Sequence, residues 1–332
     1  MPFEITPEIK IYIETSLNNS MRVANSDISE FKSFDDGWET EILAFRWNYV
    51  QDNTNLSQRC VLRVLQGEST NSRITREAAI MKTLKELDVS VPAVYVIGLD
   101  DSPIQKGHLI MEFIEGKLLG DLMLQNMDAY NGKFIQCFAR LHSVDWKSKV
   151  PELGEVYSEN NKIFLTGRLN HWEKVIGVKG INELDPLISY LKAKLYEIEL
   201  DPFCLLHNDF HPNNIIVKNN GDLVIIDWSG SDVGDFRYDL AWTYMLESTF
   251  VGPDVGETLL HGYEQISGKK IEDFKFFEGM AFLRRYIDLA LIQSGSSDLS
   301  ESAVEAVDGS LAYMTQNFSK LINEKFGVNS RF

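Results

Sequence analysis

Cysteine is scarce: the 332 residues hold three, Cys60, Cys137 and Cys204, widely spaced and without a Cys-x-x-Cys pair. An odd number of scattered thiols in apolar runs supports neither a disulfide framework nor a structural zinc site. They read as three reduced core residues. Basic residues are also short, 32 Lys and Arg against 49 Asp and Glu, for a net charge of −17. Phosphate contacts need a basic face, so nucleic acid is not an expected partner. An anionic membrane surface is disfavoured for the same reason. No apolar run approaches the roughly 18 residues of a membrane span. The stretch from Met1 to Glu8 is acidic and does not resemble a signal peptide, so a cytoplasmic location is expected. Internal repeats, low-complexity tracts and a Pro/Gly/Ser linker are absent as well.

What remains is ordinary globular material, 44% hydrophobic and 24% charged. An acidic protein of this kind can focus its field into a cleft and favour a cationic small molecule, although acidic residues also serve solubility. Thr6-Pro7-Glu8 reads as an N-cap with Pro at the first helical position, opening a helix to about Ser16. Strand periodicity then covers Ile28–Phe34, Thr40–Tyr49 and Gln58–Leu65. A helix over Ser72–Leu87 and strands over Val91–Gly98 and His108–Phe113 follow. Helical periodicity dominates the remainder, at Leu118–Leu124, Asp128–His142, Lys162–Val175, Pro186–Ile198, Arg237–Leu246, Val255–Gln265, Ile271–Gln293 and Ser300–Asn323. Three short strands interrupt it, at Phe203–His207, Ile215–Lys218 and Leu223–Ile226. The expected fold class is α+β in two lobes, a small β-rich lobe over residues 1–114 and a larger helical lobe over 115–332. Ligands bind in clefts of such layouts.

The segment from Leu205 to Val217, followed by Leu223 to Trp228, carries the most chemistry. A strand enters a polar turn, returns as a strand, and a third apolar strand ends on an acid. Asp209 lies in the turn, where a carboxylate can accept a substrate hydroxyl's proton. Asn214 and Asp227 offer hard oxygen ligands of the kind magnesium prefers. Upstream, alternation in Arg59–Leu65 puts Arg63 on a face with Val61 and Leu65, and Glu77 sits beside the apolar stripe Ile74, Ala78, Met81 and Leu84. Charges at such positions are costly unless paired, so Arg63 and Glu77 are expected to pair.

His207-x-Asp209-x-x-x-x-Asn214, with Asp227 thirteen residues beyond the Asn, resembles the catalytic and metal loops of the protein-kinase-like fold. With Gly234-Asp235-Phe236-Arg237-Tyr238-Asp239-Leu240-Ala241, it is similar to the aminoglycoside phosphotransferase and choline kinase family. The resemblance implies a small-molecule kinase moving the γ-phosphate of Mg2+-ATP or GTP to a substrate hydroxyl. Asp209 is then the catalytic base and Asn214 and Asp227 hold the metal. His207 braces the loop, and Asp235 and Asp239 support it. Arg63 and Glu77 take the place of the phosphate clamp, with Arg where the fold usually has Lys. Met111, Glu112 and Ile114 take the place of the hinge, where the Glu112 carbonyl and the Ile114 amide would meet the base of the nucleotide. Asn208 stands where the family usually has Gly, and Trp228 and Ser229 follow the metal Asp. The loop holding Asp35, Asp36 and Gly37 has one glycine where a phosphate-covering loop has several. Only eleven residues separate Asp227 from Asp239, too few for a long activation segment, so a small acceptor is expected rather than a protein. His142, in the Leu-His end of a helix, is expected to be structural.

Two alternatives stand beside this reading. A metallohydrolase could use His207, Asp209 and His211 with Asp227. A non-catalytic nucleotide-binding module could keep the fold. Trp172, Trp228, Trp242 and Tyr286 could stack on a sugar or cage an ammonium, although helical aromatics more often belong to the core.

Overall fold

A computed structural model of the chain describes residues 4–34, 40–67, 69–147, 162–294 and 315–331. The chain divides into two compact units. One takes the residues up to Gly116 together with Ile216–Ser229. The other takes Lys117–Ile215, the stretch beginning at Gly230, and a C-terminal helical segment over residues 315–326. No described helix is long and apolar enough to cross a membrane.

The first unit opens with helix α1 (Pro7–Met21), capped by Thr6, whose hydroxyl accepts the Ile9 N–H at 3.2 Å. The helix runs past Ser16 because Leu17 continues its buried stripe of Ile9 and Ile13. Strands β1 (Ser26–Phe34), β2 (Thr40–Gln51), β3 (Thr54–Leu65), β4 (Val94–Gly98) and β5 (His108–Glu112) form one antiparallel sheet in the order β1-β2-β3-β5-β4. The β2–β3 hairpin turns at Asp52 and Asn53, with φ of 48° and 57°. Two positive φ values in a two-residue loop match the right-handed twist of the flanking strands, and Asp and Asn tolerate them. Helix α2 (Thr70–Glu86) buries Ile74, Ala78, Met81 and Leu84, with Glu77 among them. The core joins α1 to the sheet through Ile13, Leu17, Phe45, Trp47, Leu62 and Ile110.

Strand β8 (Ile215–Val217), which enters this unit at Ile216, and strand β9 (Leu223–Ile225) flank the turn at Gly221. The Ile225 N–H donates to the Ser90 carbonyl at 3.0 Å, which ties this pair of strands to the rest of the unit. Gly116 is required where it stands: a Cβ there would lie 2.4 Å from the Val217 carbonyl oxygen.

The second unit is built from helices: α3 (Leu119–Gln125), α4 (Met127–Leu141), α5 (Ile163–Lys179), α6 (Asp185–Lys194), α7 (Phe236–Phe250), α8 (Pro253–Ser267) and α9 (Phe274–Gln293). The short strand β6 (Lys117–Leu118) leads into α3, and strand β7 (Cys204–Leu206) pairs antiparallel with β10 (Asp232–Gly234). Helix α7 is buried from Phe236 to Thr249 and forms the centre of the unit. The loop after β7 is fixed by Phe210, whose ring stacks on Phe138 at 4.1 Å and on Phe134 at 5.2 Å. Both partners come from α4. Phe210 immediately follows Asp209, so aromatic packing holds one side of the polar turn.

Truncating Phe210 to Ala leaves a cavity between the two rings. The expected loss is about 3–5 kcal/mol of unfolding free energy, read from the urea midpoint at unchanged slope.

Candidate active site

The polar turn after β7 hangs from one buried carboxylate. Asp239, in the first turn of α7, is wholly buried. Its Oδ2 accepts the His207 N–H at 2.6 Å and its Oδ1 accepts the Asn208 N–H at 2.8 Å. His142 Nε2 lies 3.3 Å from Oδ2, and His142 Nδ1 lies 2.8 Å from the Tyr263 hydroxyl. Two backbone donors and an imidazole around one carboxylate satisfy a charge that would otherwise be prohibitive to bury. Burial holds His142 below the ordinary histidine range, despite the opposing pull of Asp239. It is a structural, uncharged partner.

Asp235 works one step further out. It caps α7 by accepting the Arg237 N–H at 2.9 Å, and it takes both Nε and Nη2 of the Arg237 guanidinium, at 2.9 and 2.7 Å. Arg237 also reaches the Glu199 and Glu272 carbonyls. Thr243, a turn further along α7, donates to the Phe210 carbonyl at 2.7 Å.

Asn208 occupies the left-handed region, with φ of 64°. Asparagine suits the position, because it tolerates this conformation better than most side chains. Its Nδ2 donates to the Gly230 carbonyl at 2.8 Å, a link glycine cannot make.

Held this way, Asp209 presents a carboxylate with its side chain 39% exposed. The Trp242 indole N–H donates to Oδ1 at 2.8 Å. Asn214 Nδ2 lies 3.3 Å from Oδ2 and donates to the Asp209 carbonyl at 2.9 Å, while His211 Nε2 lies 3.5 Å from Oδ2. Burial pushes the carboxyl upward, but His211, Arg284 and the Trp242 N–H outweigh it and hold Asp209 well below the usual carboxylate range. Asp209 is therefore ionised at every physiological pH, an oriented acceptor more than a strong base.

The first unit carries its own charged cluster. Arg63, 5% exposed, donates through Nη1 to Glu77 Oε1, the pairing expected from the sequence. Its Nη2 donates to Asp227 Oδ1 at 2.9 Å, a contact no local sequence pattern announces. One guanidinium thus spans two carboxylates, which a single lysine ammonium does less readily. Burial holds the Glu77 carboxyl above its ordinary range; Arg63 opposes this and Asp227 adds to it. Asp227 sits at φ 60° and also accepts from the Ser229 hydroxyl at 2.9 Å on the same Oδ1. Its Oδ2 takes no hydrogen bond from the described residues.

At the end of β5, Met111 pairs with Val61 and Glu112 with Cys60. Glu112 Oε2 accepts the Ala93 N–H at 3.1 Å, and its backbone N–H donates to the Ala93 carbonyl at 2.8 Å. Ile114 lies just past the strand, and among the described residues its N–H has no acceptor. Asp35, Asp36 and Gly37 lie outside the described residues.

Trp172, Trp228, Trp242 and Tyr286 are all core residues, at most 6% exposed, so none offers a stacking face. The role of Trp242 lies instead in its N–H. Arg284 is the other residue that sequence reasoning missed: its Nη1 donates to the Asn208 carbonyl at 2.7 Å, with the guanidinium 3.7 Å from the centre of the Trp242 ring. Among the described residues no three His, Cys, Asp or Glu side chains gather to hold a metal ion. The hydrolase alternative therefore has no described ligand set.

The profile of the phosphotransferase enzyme family matches residues 43–278, and the chain belongs to that family. Its fold is protein-kinase-like. Plasmodium vivax ethanolamine kinase superimposes with a TM-score of 0.65 at 15% identity, covering 97% of this chain and 92% of that one. The streptomycin–ATP complex of APH(2")-IIa gives 0.57 at 18% identity, covering 95% and 99%. Aminoglycoside phosphotransferase APH(4)-Ia, with ADP and hygromycin B, gives 0.56 at 14% identity, covering 93% and 98%. At these identities the likeness is one of fold. Among curated proteins, the Arabidopsis thaliana acyl-CoA dehydrogenase IBR3 is 27% identical over 190 residues, 52% of this chain but 22% of that protein. The chain thus spans about a fifth of that relative's length.

Glu247, on α7, is 6% exposed. Burial pushes its carboxyl up to about 7, only partly countered by His211. The folded state therefore binds a proton that the unfolded state, near 4.3, releases, and this contribution is lost as pH rises through 7. Glu247→Gln should gain on wild type by up to about 3 kcal/mol between pH 4 and 8, measured as the difference in urea unfolding free energy.

Proposed function

We propose that this chain transfers the γ-phosphate of Mg2+-ATP or GTP to a hydroxyl group of a small molecule, in the cytoplasm. The observation that carries the reading is Asp209, an ionised, partly exposed carboxylate. Both its oxygens are oriented by neighbours, on a turn suspended from Asp239. An acceptor O–H donating to this carboxylate keeps its lone pairs available to attack the γ-phosphorus. The new O–P bond forms as the bond from the γ-phosphorus to the bridging oxygen breaks. The nucleoside diphosphate leaves, and the hydroxyl proton passes to Asp209. A carboxylate held this far below neutral takes the proton late, which suits a loose phosphoryl transfer whose catalysis is mostly positioning and electrostatics.

The clamp and metal roles draw support from each unit's own contacts. Arg63 holds Asp227 through Oδ1 and leaves Oδ2 without a described partner. Asn214 commits its Nδ2 to Asp209 and His211, which turns its amide oxygen the other way. Carboxylate and amide oxygens are the hard donors magnesium takes, so these two residues fit as its ligands, and the ion would neutralise charge on the phosphate oxygens. The Ile114 N–H, without a described acceptor, fits as a donor to the base of the nucleotide, beside the Glu112 carbonyl and Met111. An acceptor small enough to reach Asp209 agrees with the short stretch between Asp227 and Asp239.

Asp209→Asn keeps the shape and removes the charge. It should lower phosphoryl transfer to any accepted alcohol by about 10²–10⁴-fold, followed as nucleoside diphosphate release dependent on acceptor. Turnover equal to wild type would sink the assignment. A wild type that binds nucleotide but transfers to no alcohol would favour the non-catalytic module.

A further inference from the structure

The backbone that carries Asp209 is held peptide by peptide. The N–H groups of His207 and Asn208 go to the Asp239 carboxylate. The Asp209 carbonyl accepts from Asn214 Nδ2, and the Phe210 carbonyl accepts from the Thr243 hydroxyl. Between these supports lies the peptide that joins Asn208 to Asp209 and sets the direction in which the Asp209 side chain leaves the chain. Asn208 is in the left-handed region, and no described backbone N–H donates to its carbonyl. Arg284, on helix α9, supplies the donor instead, from Nη1 at 2.7 Å.

The same guanidinium lies over the indole of Trp242, 3.7 Å from the ring centre, and the Trp242 N–H donates to Asp209 Oδ1 at 2.8 Å. One cation thus steadies both the peptide from which Asp209 projects and the donor that turns its carboxylate. A planar guanidinium can do both, because it donates in its plane and stacks with its face; an ammonium has no face to stack. The bland account of Arg284 is a helix-surface ion pair with Asp288, one turn further on. That contact is long, 4.0 Å, and both side chains are partly exposed, at 25% and 43%. Such a pair contributes little, so it does not account for the arginine. The helix itself offers a rigid mount, since Phe282, Leu283 and Tyr286 around Arg284 are wholly buried.

We propose that Arg284 is a positioning residue for phosphoryl transfer, orienting Asp209 through the Asn208 carbonyl and through the Trp242 indole. This rests on the phosphotransferase reading above and adds a residue to it. Transfer needs the acceptor hydroxyl aligned with the phosphorus, and a displacement of about 1 Å at the group that aligns it costs on the order of 10²-fold in rate. A residue that acts only on this alignment changes kcat and leaves nucleotide binding alone.

The test compares wild type, Arg284→Gln and Arg284→Lys by two readouts. The first is the nuclear magnetic resonance of the Trp242 indole N–H, assigned by its loss in Trp242→Phe. A hydrogen bond to a carboxylate moves such a resonance downfield and slows exchange of its proton with solvent. Arg284→Gln should move it upfield and speed the exchange. The second readout is nucleoside diphosphate released from Mg2+-ATP, with water and with ethanolamine as acceptor hydroxyls. Arg284→Gln should lower kcat by about 10²-fold at unchanged KM for Mg2+-ATP, and Arg284→Lys should recover part of the loss. An unmoved resonance, turnover equal to wild type, or a loss carried by KM would overturn the inference. The resonance needs neither nucleotide nor acceptor, so it decides the hold on Asp209 even where neither acceptor is used. Absence of any thermal shift of wild type with Mg2+-ATP would instead overturn the phosphotransferase reading, and the catalytic role of Arg284 with it.

Discussion

The buried carboxylate of Asp239 is the constraint from which the geometry around Asp209 follows. It accepts two consecutive backbone N–H groups, those of His207 and Asn208, and so fixes the plane and direction of the chain just ahead of Asp209. Everything else in the neighbourhood is arranged so that this charge can stay buried. His142 is kept neutral and wedged between Asp239 and Tyr263. Asp235 caps the helix that carries Asp239. The left-handed conformation at Asn208 lets the chain turn away immediately afterwards. Removing one partner from such a set leaves a buried group unsatisfied, which costs far more than the same contact contributes at a surface.

The two charged clusters use burial in opposite ways. Around Asp209, neighbours favour the ionised form strongly enough to overcome desolvation. Around Glu77, desolvation prevails despite the guanidinium, and the carboxyl stays above its usual range. The Arg63 fork links Glu77 to Asp227, so the charge of one carboxylate is felt at the other. Arginine in place of lysine is therefore a change of geometry as well as of residue, because its two terminal nitrogens serve two acceptors at once.

Much of this was legible in the sequence, for reasons that can be named. Strand alternation put Arg63 on an apolar face, the helical stripe put Glu77 beside its own, and two buried opposite charges had to meet. The capping signal at Thr6 and Pro7 placed the first helix, and the spacing of His207, Asp209, Asn214 and Asp227 carried the resemblance. What stayed hidden depended on long-range packing. Trp242 lies 33 residues from Asp209 and Arg284 lies 76 from Asn208, and nothing local marks either as a hydrogen-bond donor to the turn. Sequence left open whether Trp172, Trp228, Trp242 and Tyr286 stack on a ligand, although helical aromatics more often belong to the core; the structure buries all four.

The most direct test of the account is the magnesium dependence of nucleotide binding in wild type and in Asp227→Asn, read as the shift in melting temperature with ATP and with GTP. At about 100 times the dissociation constant, bound nucleotide stabilises the fold by roughly 2.7 kcal/mol. The account predicts a shift that needs magnesium in wild type and is largely lost in Asp227→Asn. A shift of equal size without the metal, or one that survives the substitution intact, would contradict the role given to Asp227. No shift with either nucleotide would contradict the account as a whole.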